Sequence, residues 1–282
     1  MENCITTCEV PAILGIDPHK TAVDVFEEHV GHSSSQEATE AMKIGAALKE
    51  VAKKVWEEES GVKIEEAEMV SSGHSCGKPD GMVNGCPLIV ASSPVAWDEI
   101  PETISVKAQH YMAMGGWNKI KVICMVSGFG KCISEFEIDR DEEIGKAILE
   151  DVENFWTDNV EKEVAPEPQN IEDCRKIWPI SAGETIDAND EIAAKVEALK
   201  VANAKAKEAE AEADGLKKEI MEAMGTAEIL MVNGKKAITW KNNKDSVKVD
   251  YKTLVEALAP SSDLLAEHTS TVPGARVFRV SK

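Results

Sequence analysis

The chain has 282 residues, 43% of them apolar, which suffices for one domain of ordinary size with an appendage. Its 51 Asp and Glu outweigh 31 Lys and Arg to give a net charge of −20, an unusual balance for a protein that handles phosphate backbones. No apolar run is long enough to span a bilayer and no secretory leader is visible, so a soluble cytoplasmic protein is expected; seven cysteines at irregular spacing fit reduced thiols there rather than a disulfide frame.

Taken in chain order, the first periodic segment is an amphipathic helix over Glu37–Ser60, with Ile44, Leu48, Val51 and Val55 expected on its buried face. Short strands follow at Ile64–Ser71, Asp80–Val83 and Leu88–Ala91, then a helix from Ser105 to Met114. Two strong strands, Ile120–Val126 and Lys131–Ile138, flank Gly128-Phe129-Gly130-Lys131. That tetrapeptide has the look of a phosphate loop but lacks its spacing and its following Ser or Thr, so a hairpin turn is the stronger reading. A helix over Asp141–Val164, with Ile144, Ile148 and Val152 in phase, ends at Pro166.

Residues 167–186 read as a linker, containing a Trp178-Pro179 step that the pattern does not place. Asp187–Met224 is rich in Ala, Glu and Lys, free of Pro, and carries a narrow seam through Ile192, Val196, Leu199, Ala206, Ala213, Leu216 and Ile220, which predicts one long helix stopped by Gly225. Such a helix buries little by itself and needs a surface to lie on, either the body or another subunit. Glu228–Val232 and Lys235–Lys241 around Asn233-Gly234 predict a hairpin with a type I′ turn. A short helix over Asp250–Leu258 and an alternating strand at Arg276–Val280 complete the chain. The expected division is therefore 1–166, 167–186, 187–224 and 225–282. The acidic excess sits almost wholly in 1–186, whereas 225–282 carries nine Lys and Arg against six acids. Lys235, Lys236, Lys241, Lys244, Arg276 and Arg279 are the candidate contacts to duplex or single-stranded DNA, weighed against the plain reading of solvated strand and turn charges.

Four segments carry a likeness to a known family. Cys8-Glu9-Val10-Pro11-Ala12-Ile13-Leu14-Gly15-Ile16-Asp17-Pro18-His19-Lys20-Thr21 resembles an N-terminal AILG-x-x-P-Y-K-T signature. Gly45-Ala46-Ala47-Leu48-Lys49-Glu50 resembles a G-x-x-L-E helix, Pro101 to Met112 a P-x-x-Y-x-x-Q-x-Q-H-x-M helix, and Phe155-Trp156 a closing FW helix. In this order they are similar to the YqaJ-type viral recombinases, phage exonucleases like that of lambda, over roughly residues 8–166. The tail resembles the helical and β-rich extension of many phage members. The resemblance implies an α/β fold of the restriction-endonuclease, PD-(D/E)XK type, a mixed sheet flanked by helices, working in a host bacterial cytoplasm as a ring commonly of three subunits. In that family an Asp and a Glu-x-Lys pair on adjacent strands hold Mg²⁺, which activates water, with a helix carboxylate and a Gln completing the site.

Carried over residue by residue, the helix carboxylate falls on Lys49, the strand Asp on Asp80, the Glu and Lys on Ile89 and Ala91, and the Gln on Lys107. One of the five survives, and no Asp, Glu or Lys lies between Met82 and Trp97 to repair the strand pair. Asp80 beside Gly81 is also an ordinary turn residue. A shifted register could recruit Glu50, Glu65 or Glu66 as ligands beside Asp80, and Gln109 is the second Gln of its helix motif. His74, Cys76 and Cys86 lack paired zinc spacing, and His110 reads as a helix-face residue.

Three functions follow as expectations. The first is a catalytically inactive YqaJ-like homologue with no cofactor, acting by binding in DNA recombination or replication or as an inhibitor of a host nuclease or defence enzyme. The second is an active Mg²⁺-dependent exonuclease with a displaced site, and the third an oligomeric scaffold.

Overall fold

The computed structural model describes residues 4–31, 39–126, 132–270, 274 and 276–280. The chain divides into two units, Met1–Pro179 and Ile180–Lys282, each described by itself.

The first unit opens with β1 (Ile5–Thr6), α1 (Val10–Ile13) and α2 (Ala22–His29). Thr21 caps α2 in a reciprocal box with Asp24, satisfying two of the amide groups that a helix start leaves orphaned. Helix α3 (Glu40–Ser60) is capped by Thr39 and stopped by Gly61 in the left-handed conformation. The expected start at Glu37 lies outside the described residues. Its buried stripe differs from the expected one: Ala52 and Trp56 are buried, while Ile44 (54% exposed) and Val51 face solvent. The 3.6-residue period carries the stripe from Leu48 through Ala52 to Val55 and Trp56, and Ile44 and Val51 lie to one side of it.

A small sheet follows, β2 (Val70–Ser72) against β3 (Ser75–Gly77), with β1 added parallel to β3. The strand expected over Ile64–Ser71 is present only in parts, as a backbone bridge from Glu65 to Met82 and as β2. The principal sheet is formed by β4 (Gly81–Val83), β5 (Cys86–Ser93), β6 (Lys119–Val126) and β7 (Ile133–Asp139) in that order, with α4 (Glu102–Gly115) crossing from β5 to β6. β4 and β5 are antiparallel, β5 and β6 parallel, β6 and β7 antiparallel. Glu65 adds an outer rung on β4, and the order from α3 to β6 is helix, four strands in two sheets, helix, strand, the mixed α/β arrangement expected. The turn between β6 and β7, where Gly128 to Lys131 lie, is outside the described residues.

Strand β5 sets the layers. Leu88 and Val90 pack with Ala52 and Trp56 on the α3 side, and Ile89 packs with Ala108, Tyr111 and Met112 on the α4 side. A central strand covered on both faces must be apolar at successive positions, not at alternate ones. Helix α5 (Glu142–Phe155) starts at Asp141, whose carboxylate accepts from the amides of Glu143 and Ile144, and runs on through a π-helical turn at Trp156–Val160. Ile148 and Val152 are buried as expected; Ile144 is exposed. The expected linker 167–186 needs correction, because its first half holds α6 (Ile171–Ile177), joined to the start of α2 by Thr21 donating to Asp173 and by the Lys176–Asp24 ion pair.

The second unit contains α7 (Asp190–Met224), β8 (Ile229–Val232) and β9 (Lys235–Thr239) as an antiparallel pair, α8 (Tyr251–Leu258) and α9 (Ser262–Glu267). The long helix and hairpin are where the sequence put them. The seam of α7 is largely open, with Met224 its one buried residue, because an Ala-rich stretch offers little area to bury. Residues 276–280 have no regular secondary structure, so the strand expected there is not formed; alternation alone supplies no hydrogen-bonded partner.

One expectation about chemistry is also corrected. Cys4 and Cys76 form a disulfide, Cα–Cα 5.9 Å, which the parallel pairing Ile5↔Ser75 brings together across 72 residues of sequence. Closing a loop of that length restricts the unfolded chain, by about 2–4 kcal/mol in typical cases. The oxidised chain should therefore unfold at higher urea than the reduced chain or Cys4→Ser, with the bridge visible as a linked peptide pair after non-reducing digestion. Identical midpoints would remove the bond from the account of stability.

Candidate functional site

Asp80 sits in the bend before β4, and its position is fixed by three contacts. Its amide donates to the Leu88 carbonyl at 2.9 Å, and its Oδ2 accepts the Val90 amide at 2.8 Å. Lys49, reaching from α3, donates through Nζ to Oδ1 at 3.0 Å and Oδ2 at 3.2 Å. Both carboxylate oxygens are thus committed to protein donors, one of them a backbone amide of β5.

Where the family pattern requires the Glu and Lys, Ile89 is 5% exposed and Ala91 9%. Ile89 lies in the apolar layer of Ala108, Tyr111, Met112, Ile120 and Val122. Lys107, on α4, is half-buried and has no hydrogen-bond or ion-pair partner among the described residues. The residues present do not fit Mg²⁺, which needs several hard oxygens in near-octahedral order. One carboxylate, already neutralised by an ammonium group and flanked by an aliphatic side chain, does not supply them.

The displaced alternatives are occupied elsewhere. Glu50 pairs with Lys53 at 2.8 Å, and that contact holds its carboxyl below the usual carboxylate range. Glu66 is held low in the same way by Lys78; Glu65 bonds Met82 through its backbone alone and its side chain is exposed. Among the described residues no three His, Cys, Asp or Glu side chains gather as a metal-binding group. His74 stacks on Trp156 with ring centroids 4.8 Å apart and bonds Glu153, Cys76 is in the disulfide, and the Cys86 thiol donates to the Lys119 carbonyl. Those three residues therefore serve separate structural contacts.

The helix motif on α4 is structural as well. Gln109 donates to the Asp139 carbonyl and accepts the Asp141 amide, both at 2.9 Å, clamping the corner between β7 and α5. His110 is fully buried, its Nδ1 2.9 Å from the Thr7 hydroxyl and its Nε2 without a partner among the described residues. Burial pushes its pKa down to about 4. Tyr111, which no sequence signal singles out, donates to the Lys78 carbonyl two residues before Asp80. Burial first, then the nearby Cys8 and Asp80 charges, hold its phenol well above the ordinary range. Gly77 is required at this junction, since a Cβ there would stand 2.3 Å from the Thr7 Oγ1 and 2.8 Å from the Tyr111 ring.

A further polar group lies at the start of the N-terminal signature. Glu9 bonds the Thr6 amide and hydroxyl at 2.8 Å and His29 at 3.1 Å. Burial raises its pKa, but the bonds from His29 and Thr6 outweigh that, so Glu9 stays ionised below the usual range. His29 meets Trp156 edge-on while His74 covers the ring face. The N-terminal signature and the closing Phe155-Trp156 therefore meet in one structural knot. In the second unit Lys235, Lys236, Lys241, Lys244, Arg276 and Arg279 are all exposed.

The helix–strand order and strand register give a mixed α/β domain, with Asp80 in the bend before its edge strand β4. No family model matches the chain. It is 27% identical over 161 residues to the uncharacterised protein YqaJ of Bacillus subtilis, covering 52% of this chain and 50% of the relative, so it spans about half the length of that relative. Among solved structures it is similar to an alkaline exonuclease from Laribacter hongkongensis, with TM-score 0.49, 16% identity, and 57% and 90% of the two chains covered. A phage-related exonuclease from Haemophilus somnus gives TM-score 0.45, 14% identity, and 57% and 96% covered. Its sequence similarity to YqaJ thus extends over about half of each chain.

Two measurements follow from this geometry. Asp80→Ala should destabilise the fold by about 2 kcal/mol, because it strands a β5 amide that was bonded to a charged acceptor, and Lys49→Ala by about 1 kcal/mol or less, since its partner remains bonded to that amide. A carboxylate held for catalysis behaves in the opposite way, its removal usually relieving repulsion and raising stability; a stabilised Asp80→Ala would contradict the structural role. His110 is neutral in the folded chain, so below an ordinary histidine value of about 6.5 the unfolded chain binds a proton that the native chain refuses. Stability from this source is complete above that pH and falls on acidification toward about 4, by up to about 3 kcal/mol. Urea unfolding across that range should show a shallower acid loss in His110→Gln than in the parent; equal slopes would place the acid sensitivity elsewhere.

Proposed function

We propose that this protein is a catalytically silent YqaJ-like exonuclease homologue that acts by binding, within DNA recombination or replication or on a host DNA-processing or defence enzyme. The observation that carries the reading is the engagement of Asp80 by Lys49 and the Val90 amide, with Ile89 in the core where a ligand would stand. Loss of a single metal ligand in such enzymes removes the metal and the activated water together, and here several positions differ at once.

Glu50 and Glu66, which the active-enzyme reading would recruit, are held by Lys53 and Lys78 and favour the silent reading instead. The strongly acidic first unit fits a basic protein partner better than a second polyanion. Linear duplex and single-stranded DNA incubated with the purified chain and Mg²⁺ or Mn²⁺ should remain intact over hours. Metal-dependent digestion that disappears in Asp80→Ala would overturn the proposal.

A further inference from the structure

Both units have cations engaged by carboxylates, and the second also has a cluster that is not. In the first, Lys20, Lys49, Lys53, Lys78, Lys119 and Lys176 are each paired with a carboxylate. In the second, Lys235 and Lys236 on β9 and Lys241 and Lys244 just beyond it have no ion-pair or hydrogen-bond partner among the described residues. Trp240 stands among these lysines, its amide bonded to the Glu228 carbonyl at the end of the hairpin ladder, with 43% of its surface exposed.

Trp240 lines a shallow concavity with Met221 and Gly225 at the C-terminal end of α7. The acids at its rim are neutralised locally, Asp214 by Lys217 at 2.8 Å and Glu222 by Lys218 at 3.5 Å. Along residues 228–245 the four lysines outnumber two carboxylates, Glu228 and Asp245, so the segment that carries the indole is net positive. A solvent-facing indole beside several unpaired ammonium groups is the chemistry that takes a base on its face and the adjoining phosphates on its flanks. A duplex keeps its base faces stacked inside, so only an unpaired strand can use the indole.

We infer that the β8–β9 hairpin with Trp240 is a contact for single-stranded nucleic acid, the base stacking on the indole and the backbone running along Lys235, Lys236, Lys241 and Lys244. Its failure is distinguishable from that of the silent-nuclease proposal, because cleavage bears on Asp80 and Ile89 whereas this contact bears on Trp240.

The test uses the full chain and a fluorescein-labelled oligothymidylate, with binding followed by anisotropy at about 50 mM salt. Trp240→Ala should weaken binding by roughly 5- to 100-fold, whereas Trp240→Phe, which keeps a ring to stack and to cover Met221, should lose less than about fivefold. Changing the four lysines to alanine together should flatten the dependence of log affinity on log salt by up to about three units, near 0.7 for each phosphate that a single strand no longer has neutralised. A matched duplex should bind more weakly than the single strand. The inference is overturned if the oligothymidylate does not bind, if Trp240→Ala binds as the parent does, if Trp240→Phe fails as badly as the alanine variant, or if duplex is preferred. It is equally overturned if Trp240→Ala dissolves a self-associated species in light scattering and leaves nucleic-acid affinity unchanged, which would assign the patch to a second copy.

Discussion

The structure depends on β5 being covered on both faces. Leu88 and Val90 meet α3 while Ile89 meets α4, so the strand has no face turned to a wet cleft. An enzyme that keeps a Glu and a Lys on such a strand must leave one face partly hydrated for a metal and must bear the cost of polar groups inside the sheet. With aliphatic residues at those positions, the layer closes as ordinary core.

Asp80 is held by the same backbone that it orders. Its amide and its carboxylate both bond the β5 backbone, continuing the β4–β5 ladder past the last paired residue. Lys49 balances the charge that remains. The same holds for the other motif residues: Glu9 secures the turn after β1, Thr21 starts α2, Gln109 holds the β7–α5 corner, and Trp156 sits between two histidines. These roles are structural and do not require turnover.

Much of this is legible in sequence where the signal is local. Strand β6 announces itself by its β-branched residues, β7 by apolar Phe136 and Ile138 alternating with Glu135, Glu137 and Asp139, α5 by its Asp141 cap and the Ile148–Val152 period, and the β8–β9 hairpin by Asn233-Gly234. The substitution of Ile89 and Ala91 is equally plain once Asp80 is placed. What escapes is non-local. The α6 helix is held by a Thr21–Asp173 bond spanning 152 residues, the disulfide by β-pairing across 72, and the Lys49–Asp80 pair by a helix meeting a turn 31 residues away. The buried face of α3 is misread from hydropathy because Ile44 and Val51 are more apolar than Ala52, whereas burial follows geometry and the bulk of Trp56.

The Cys4–Cys76 bond also has a topological meaning. It turns the stretch from Cys4 to Cys76, which contains α1, α2 and α3, into a closed covalent ring with the rest of the chain leaving it after Cys76. Cutting one peptide bond inside that ring opens it without releasing a fragment, so the molecule keeps its mass while gaining a new pair of ends. Only a reductant would then separate the pieces. For as long as the bridge is oxidised, α3 and the Lys49 it carries stay covalently attached on both sides of such a cut, and the ion pair to Asp80 keeps its local concentration.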